Sequence, residues 1–187
     1  MAKMYNCPII GEKMERIVNR REVVLITTGG TIEKTYDESS GALSNRDSIL
    51  KKFIVDKLRL PHTDIRIFNI INKDSLNFTD YDRSLMAKTL SLQAERGIPI
   101  IVLHGTDTMA KSAEYIYKTF KSVNVPIIFT GAMKPTAFMD SDGLQNVTEA
   151  LMAAKIVEPG IYISFHGRLF SVPGARKNIQ KKTFEEC

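Results

Sequence analysis

Val23-Val24-Leu25-Ile26-Thr27-Thr28-Gly29-Gly30-Thr31 is the stretch that decides the fold: an apolar run of strand length passing directly into hydroxyls and a glycine pair. A short, near-continuous run of β-branched and aliphatic residues fits a strand covered on both faces, as in a parallel sheet. The glycines allow a sharp turn at its end. Outward from this stretch the same signal repeats at Asp64 to Ile71, Ile98 to Leu103, Pro126 to Thr130 and Gly160 to Phe165. Longer stretches of helical period separate these runs, at Arg46 to Leu58, Asp80 to Arg96, Thr108 to Lys121 and Asp142 to Val157. In the third, Met109, Ala113, Ile116, Tyr117 and Phe120 form one apolar stripe, with Lys111, Glu114, Lys118 and Lys121 outside it. Thr79-Asp80, Thr106 to Thr108 and Ser141-Asp142 supply N-cap chemistry. The expected fold is α/β: a doubly wound, mainly parallel sheet with helices on both faces, in a single domain.

Composition agrees with this reading. The 187 residues carry 26 Lys plus Arg against 21 Asp plus Glu, 43% hydrophobic and 25% charged residues, within the range of a globular protein with a core of its own. Cys7 and Cys187 lie at opposite ends and form no metal or disulfide spacing, which points to a reducing compartment and away from structural zinc. Three dispersed histidines add nothing for a metal site. No apolar run reaches the roughly 18 residues of a membrane helix, and Met1 to Glu22 lack the apolar block and small-residue site of a secretory signal. The expectation is a cytoplasmic protein with no membrane partner. The net charge of +5 arises from basic residues scattered among acidic ones without an aromatic platform, so nucleic acid is not expected as a partner.

In open parallel sheets, ligands sit beyond the carboxyl ends of the strands. Here those ends read Thr27-Thr28-Gly29-Gly30-Thr31, Asn72-Lys73-Asp74-Ser75, His104-Gly105-Thr106-Asp107-Thr108 and Gly131-Ala132-Met133-Lys134-Pro135. The glycine pair fits neither the phosphate-loop nor the dinucleotide fingerprint. Taken singly, each motif also has a structural reading: a turn at Gly29-Gly30, helix capping by Thr106, Asp107 or Thr108. Two such turns, with Asp74 and Ser75 at a third strand end, are harder to explain as capping alone. His104 and His166 fall near the same edge and fit neutral, hydrogen-bonded structural roles, and His62 reads as solvated.

TTGGTIE (Thr27 to Glu33), HGTDTM (His104 to Met109) and GAMKP with the following SDG (Gly131 to Gly143) resemble the bacterial-type L-asparaginase family, amidohydrolases that also act to varying degree on glutamine. The resemblance spans roughly Val23 to Glu186. It implies hydrolysis of L-asparagine to L-aspartate and ammonia by threonine-based nucleophilic catalysis, with no cofactor and no metal, in a homo-oligomer acting on a small-molecule amide. Carried over residue by residue, it implies catalytic roles for Thr28, Thr106, Asp107 and, from the segment Arg176 to Glu186, Lys177. Ser75 matches the family's substrate-clamping serine, with Asp74 before it and Leu76 in place of a polar residue. Gly29, Gly105, Thr106, Asp107 and Ala132 complete the expected substrate-binding set. Tyr36 is the one tyrosine of the loop after the first motif and reads equally as nucleophile activator or packing residue.

Amide hydrolysis needs an activated nucleophile, donors for the oxyanion and a proton for ammonia. Backbone N–H groups at Gly29-Gly30 and Gly105-Thr106 are the expected donors. Lys177 serves as a base only if its amine is neutral, and Asp107 beside it favours the ammonium, so the carboxylate is expected to orient the lysine or bind the substrate's amino group. Against the resemblance the chain reads as an extension, 1–22, followed by one asparaginase-like domain, 23–187, without the family's second, C-terminal domain. That leaves two alternatives to hydrolysis: a non-catalytic amino-acid-binding or regulatory domain, and an ammonia-supplying, amidotransferase-related subunit.

Overall fold

A computed structural model describes residues 22–37, 42–45 and 55–187. All five expected strands form: β1 (Glu22–Gly29), β4 (Asp64–Lys73), β5 (Ile100–Leu103), β6 (Pro126–Thr130) and β7 (Gly160–Phe165). They lie in one sheet in the order β4-β1-β5-β6-β7, every pair parallel. An antiparallel strand, β8 (Arg168–Ser171), closes the far edge beside β7. Of the expected helices, α1 (Asp80–Ala94), α2 (Met109–Thr119) and α3 (Gly143–Ile156) form within the assigned stretches. Most of the helix expected over Arg46 to Leu58, and residues 1–21 of the expected extension, lie outside the described residues; Val55–Lys57 is a 3-10 turn.

Alternation along the strands divides the core. Val24 and Ile26 of β1 face Met86 and Leu90 of α1 and Ala113 and Ile116 of α2. Val23 and Leu25 face Val147, Ala150 and Leu151 of α3 on the opposite side. Each of these residues is buried, contributing about 1.5–3 kcal/mol for the larger aliphatics. Helices thus cover both faces of a doubly wound sheet, as expected.

Two expectations are corrected here. The apolar run of β4 suggested burial on both faces, but β4 is an edge strand and most of it stays partly exposed. Tyr117 is 49% exposed, because the buried stripe of α2 centres on Met109, Ser112, Ala113 and Ile116 and leaves the next residue at its margin.

Three elements went unforeseen. Besides β8, these are a hairpin of β2 (Lys34–Asp37) and β3 (Ala42–Asn45), and a hairpin of β9 (Ala175–Asn178) and β10 (Thr183–Glu186). The strand order reverses between β1 and β5, which makes that pair the topological switch point where open α/β sheets bind ligands.

Candidate active site

At the switch point the two glycine turns touch. Gly30, at φ 84°, lies so close to Gly105 that a Cβ on it would stand 2.5 Å from the Gly105 Cα. A Cβ on Gly105 would in turn stand 2.5 Å from the Ser75 Oγ. Small residues at both positions therefore bring the ends of β1 and β5 and the Ser75–Asn77 turn after β4 into one edge. His104 N donates to Thr130 O (2.9 Å), and Gly131 backs onto the His104 carbonyl, so the fourth motif joins the same edge with Ala132 buried beneath it.

The β9–β10 hairpin carries Lys177 to this edge. Its Nζ donates to the Thr106 Oγ1 (2.7 Å) and to the Asp107 Oδ1 (2.9 Å), with the lysine side chain 19% exposed and the carboxylate 43%. Capping does not account for these residues. Thr108 occupies the N-cap position of α2, and its hydroxyl donates to Ser75 O (2.8 Å), which leaves Thr106 and Asp107 to the lysine.

A second ion pair borders the first. Lys34 of β2 meets Asp74 at 2.7 Å, and this hydrogen bond, with Lys177 nearby, holds the Asp74 carboxyl below the usual carboxylate range despite partial burial. The Asp74 Oδ1 also accepts from Leu76 N (3.1 Å). Tyr36 is 63% exposed and lies two residues from Lys34, on the same face of β2.

Thr28, expected to carry the nucleophilic hydroxyl, lies at the end of β1 just before Gly29. It is fully buried, and its hydroxyl donates to Leu103 O (2.9 Å), tying β1 to β5 inside the sheet. The expected oxyanion donors of the first turn are also engaged: Gly29 N donates to Glu33 Oε2 (3.0 Å) and Gly30 N to Lys73 O (3.0 Å). Sequence reasoning passed over Thr31, which is half-buried and directly follows Gly30 where that glycine meets Gly105.

His104 is fully buried against Phe78 (ring centroids 4.8 Å apart), and burial pushes its pKa down to about 4. It is neutral at physiological pH, with Nδ1 on Gly105 O (2.8 Å), which agrees with the structural role expected of it. Among the described residues no group of three or more His, Cys, Asp or Glu is arranged to hold a metal ion, and no helix is long and apolar enough to cross a membrane.

The domain is α/β with a mainly parallel sheet and a threonine–lysine–aspartate cluster at its switch point. The chain belongs to the asparaginase family, matching its "Asparaginase, N-terminal" domain over residues 22–185. It is 28% identical to L-asparaginase 1 of Escherichia coli K12, covering 82% of this chain and 46% of that protein. It is 26% identical to a glutamyl-tRNA(Gln) amidotransferase subunit of Thermoplasma acidophilum, covering 83% and 38%. Among solved structures, L-asparaginase I of Vibrio cholerae superposes with a TM-score of 0.77 at 26% identity, covering 89% of this chain and 51% of that one. The chain thus spans about half or less of the length of these relatives.

Proposed function

We propose that this edge hydrolyses the side-chain amide of asparagine, releasing ammonia, with Lys177, Thr106 and Asp107 as its proton-handling group. The observation that carries the reading is the bond from Lys177 Nζ to Thr106 Oγ1 at 2.7 Å, with Asp107 at 2.9 Å. With its amine neutral, Lys177 at this distance accepts the Thr106 hydroxyl proton, so that Thr106 can pass on a proton taken from the nucleophile. The attacking hydroxyl comes from elsewhere on the edge. Thr28 and Thr108 donate to backbone carbonyls and Ser75 is taken to clamp the substrate, so the attack is assigned to Thr31.

In the reaction Thr31 Oγ1 attacks the amide carbon as its proton leaves through Thr106 toward a neutral Lys177. The C–N bond breaks, ammonia departs with a proton returned from that group, and water hydrolyses the resulting ester to the carboxylate. Among the described residues the N–H groups of Gly105 and Thr106 donate to no partner, and they replace the first turn as oxyanion donors. Asp107 keeps the lysine oriented and offers its exposed oxygen to the substrate's ammonium. Ser75 and Asp74 border the substrate, and no cofactor is required. Tyr36 assists Thr31 if the hairpin closes over bound substrate.

A second reading, an ammonia-supplying subunit, is favoured by the match to the amidotransferase protein. It predicts a co-purifying partner and weak activity of the chain alone. Ammonia release from asparagine and glutamine by the natural chain and by Thr31→Ala, Thr106→Ala and Thr28→Val separates the roles. Thr31→Ala and Thr106→Ala are expected to lose roughly 10²-fold or more, and Thr28→Val to retain turnover. Loss in Thr28→Val with full activity in Thr31→Ala would return the nucleophile to Thr28.

A further inference from the structure

We infer that His166, outside the three motifs, is a positioning residue that sets Lys177 against Thr106 through the β9–β10 hairpin. The inference rests on the amidohydrolase reading for its kinetic part only. His166 follows β7 at φ 47°, a left-handed conformation uncommon for a residue with a side chain. Its backbone N donates to Asn146 Oδ1 (3.1 Å), and Asn146 Nδ2 donates to Gly131 O (2.9 Å), which seats the residue against α3 and the turn after β6.

Both ring nitrogens are engaged. Nε2 lies 3.0 Å from Asp142 Oδ2 and Nδ1 lies 3.0 Å from Thr183 Oγ1. Asp142 is an acceptor on every side: it takes Met133 N and Asn146 Nδ2 on Oδ2 and Lys134 N on Oδ1, each at 3.0 Å. In the neutral ring the proton therefore sits on Nε2, facing the carboxylate, and Nδ1 accepts from the Thr183 hydroxyl. One ring thus joins the Gly131–Lys134 turn at the site's edge to strand β10.

The far end of this link is the lysine. Thr183 precedes Phe184, and Phe184 pairs across the hairpin with Lys177. The hairpin is a separate two-stranded sheet, with no strand pairing to the six-stranded one. Phe184 seats it in the core, 5.0 Å from Phe165 between ring centroids. An apolar seat has no preferred direction, so a ring tolerates sliding, whereas two directional hydrogen bonds through His166 fix where the hairpin stands. A lysine that must lie 2.7 Å from Thr106 feels a displacement of about 1 Å as a rate loss on the order of 10²-fold.

The test uses the full chain with His166→Leu, His166→Gln and Thr183→Val. Glutamine presents a donor and an acceptor at nearly the spacing of the two ring nitrogens, leucine presents neither, and Thr183→Val cuts the link at the hairpin while leaving His166 and Asp142 intact. Two quantities are read. One is kcat and KM for ammonia release; the other is the rate at which trace acetic anhydride acetylates Lys177 relative to the exposed Lys181 and Lys182, read by peptide mass spectrometry.

His166→Leu and Thr183→Val are expected to lower kcat by roughly tenfold or more with KM within about threefold, and to raise the relative labelling of Lys177 severalfold. His166→Gln is expected to stay near the natural chain in both. Unchanged labelling in Thr183→Val, or loss of kcat in His166→Leu without a change at Lys177, would overturn the proposal. If the natural chain releases no ammonia, the functional reading fails by itself, and the labelling still decides the positioning role.

Discussion

Thr28 and Thr31 stand three residues apart, and under the proposed function the bond from Thr28 to Leu103 O gives Thr28 a structural role. Replacing Thr28 with valine keeps the volume and removes one buried donor. Denaturant unfolding is expected to show a loss of about 1–2 kcal/mol, with turnover kept. His104 makes a second statement at this scale. The folded protein refuses a proton that the unfolded chain takes up near pH 6.5, because burial holds the ring's pKa down to about 4. Stability is therefore full above pH 6.5, falls as pH drops toward 4, and levels off below, a loss of about 3 kcal/mol for the whole window. In His104→Phe this part of the pH dependence of unfolding should vanish; an identical slope in both proteins would contradict it. The sequence announced Thr106, Asp107 and Lys177 because their motifs are linear. It named Thr28 where the proposed function names Thr31, since which hydroxyl points into a parallel sheet depends on where strand β1 ends, and a glycine pair does not mark that to the residue.

Strands β1, β5, β6 and β7 and the helices between them were legible because local apolar period and burial agree in them. The two hairpins were not, since their four-residue strands carry mixed polar residues that acquire order only from what they touch. Lys34 and Asp74 illustrate this: the pair spans 40 residues and ties β2 to the turn that holds Ser75. The paired carboxyl titrates below its unfolded value, so the pair stabilises the fold above about pH 4 and ceases to do so as pH falls through the lowered folded value. Lys34→Met is expected to cost about 0.5–1 kcal/mol at neutral pH and to speed hydrogen exchange in the β2–β3 ladder. The stability difference from the natural chain should close on acidification. A difference that persisted at pH 2 would show that packing of the lysine stem, and not the ion pair, anchors the hairpin.

At the scale of the whole molecule, the strand order β4-β1-β5-β6-β7 sets the reversal between β1 and β5. Residues from three separate motifs and from the β9–β10 hairpin converge there, and no local feature of the sequence encodes that meeting. The match to the asparaginase N-terminal domain covers nearly all of the described chain, while the relatives extend well beyond it. The central claim is therefore that this half of the family's length contains a working proton-handling group. Its most direct test is the steady-state release of ammonia from asparagine by the purified natural chain beside Lys177→Met. The account predicts measurable turnover that falls roughly 10²-fold or more on losing the amine, with aspartate as the other product. Equal rates in the two proteins would contradict it.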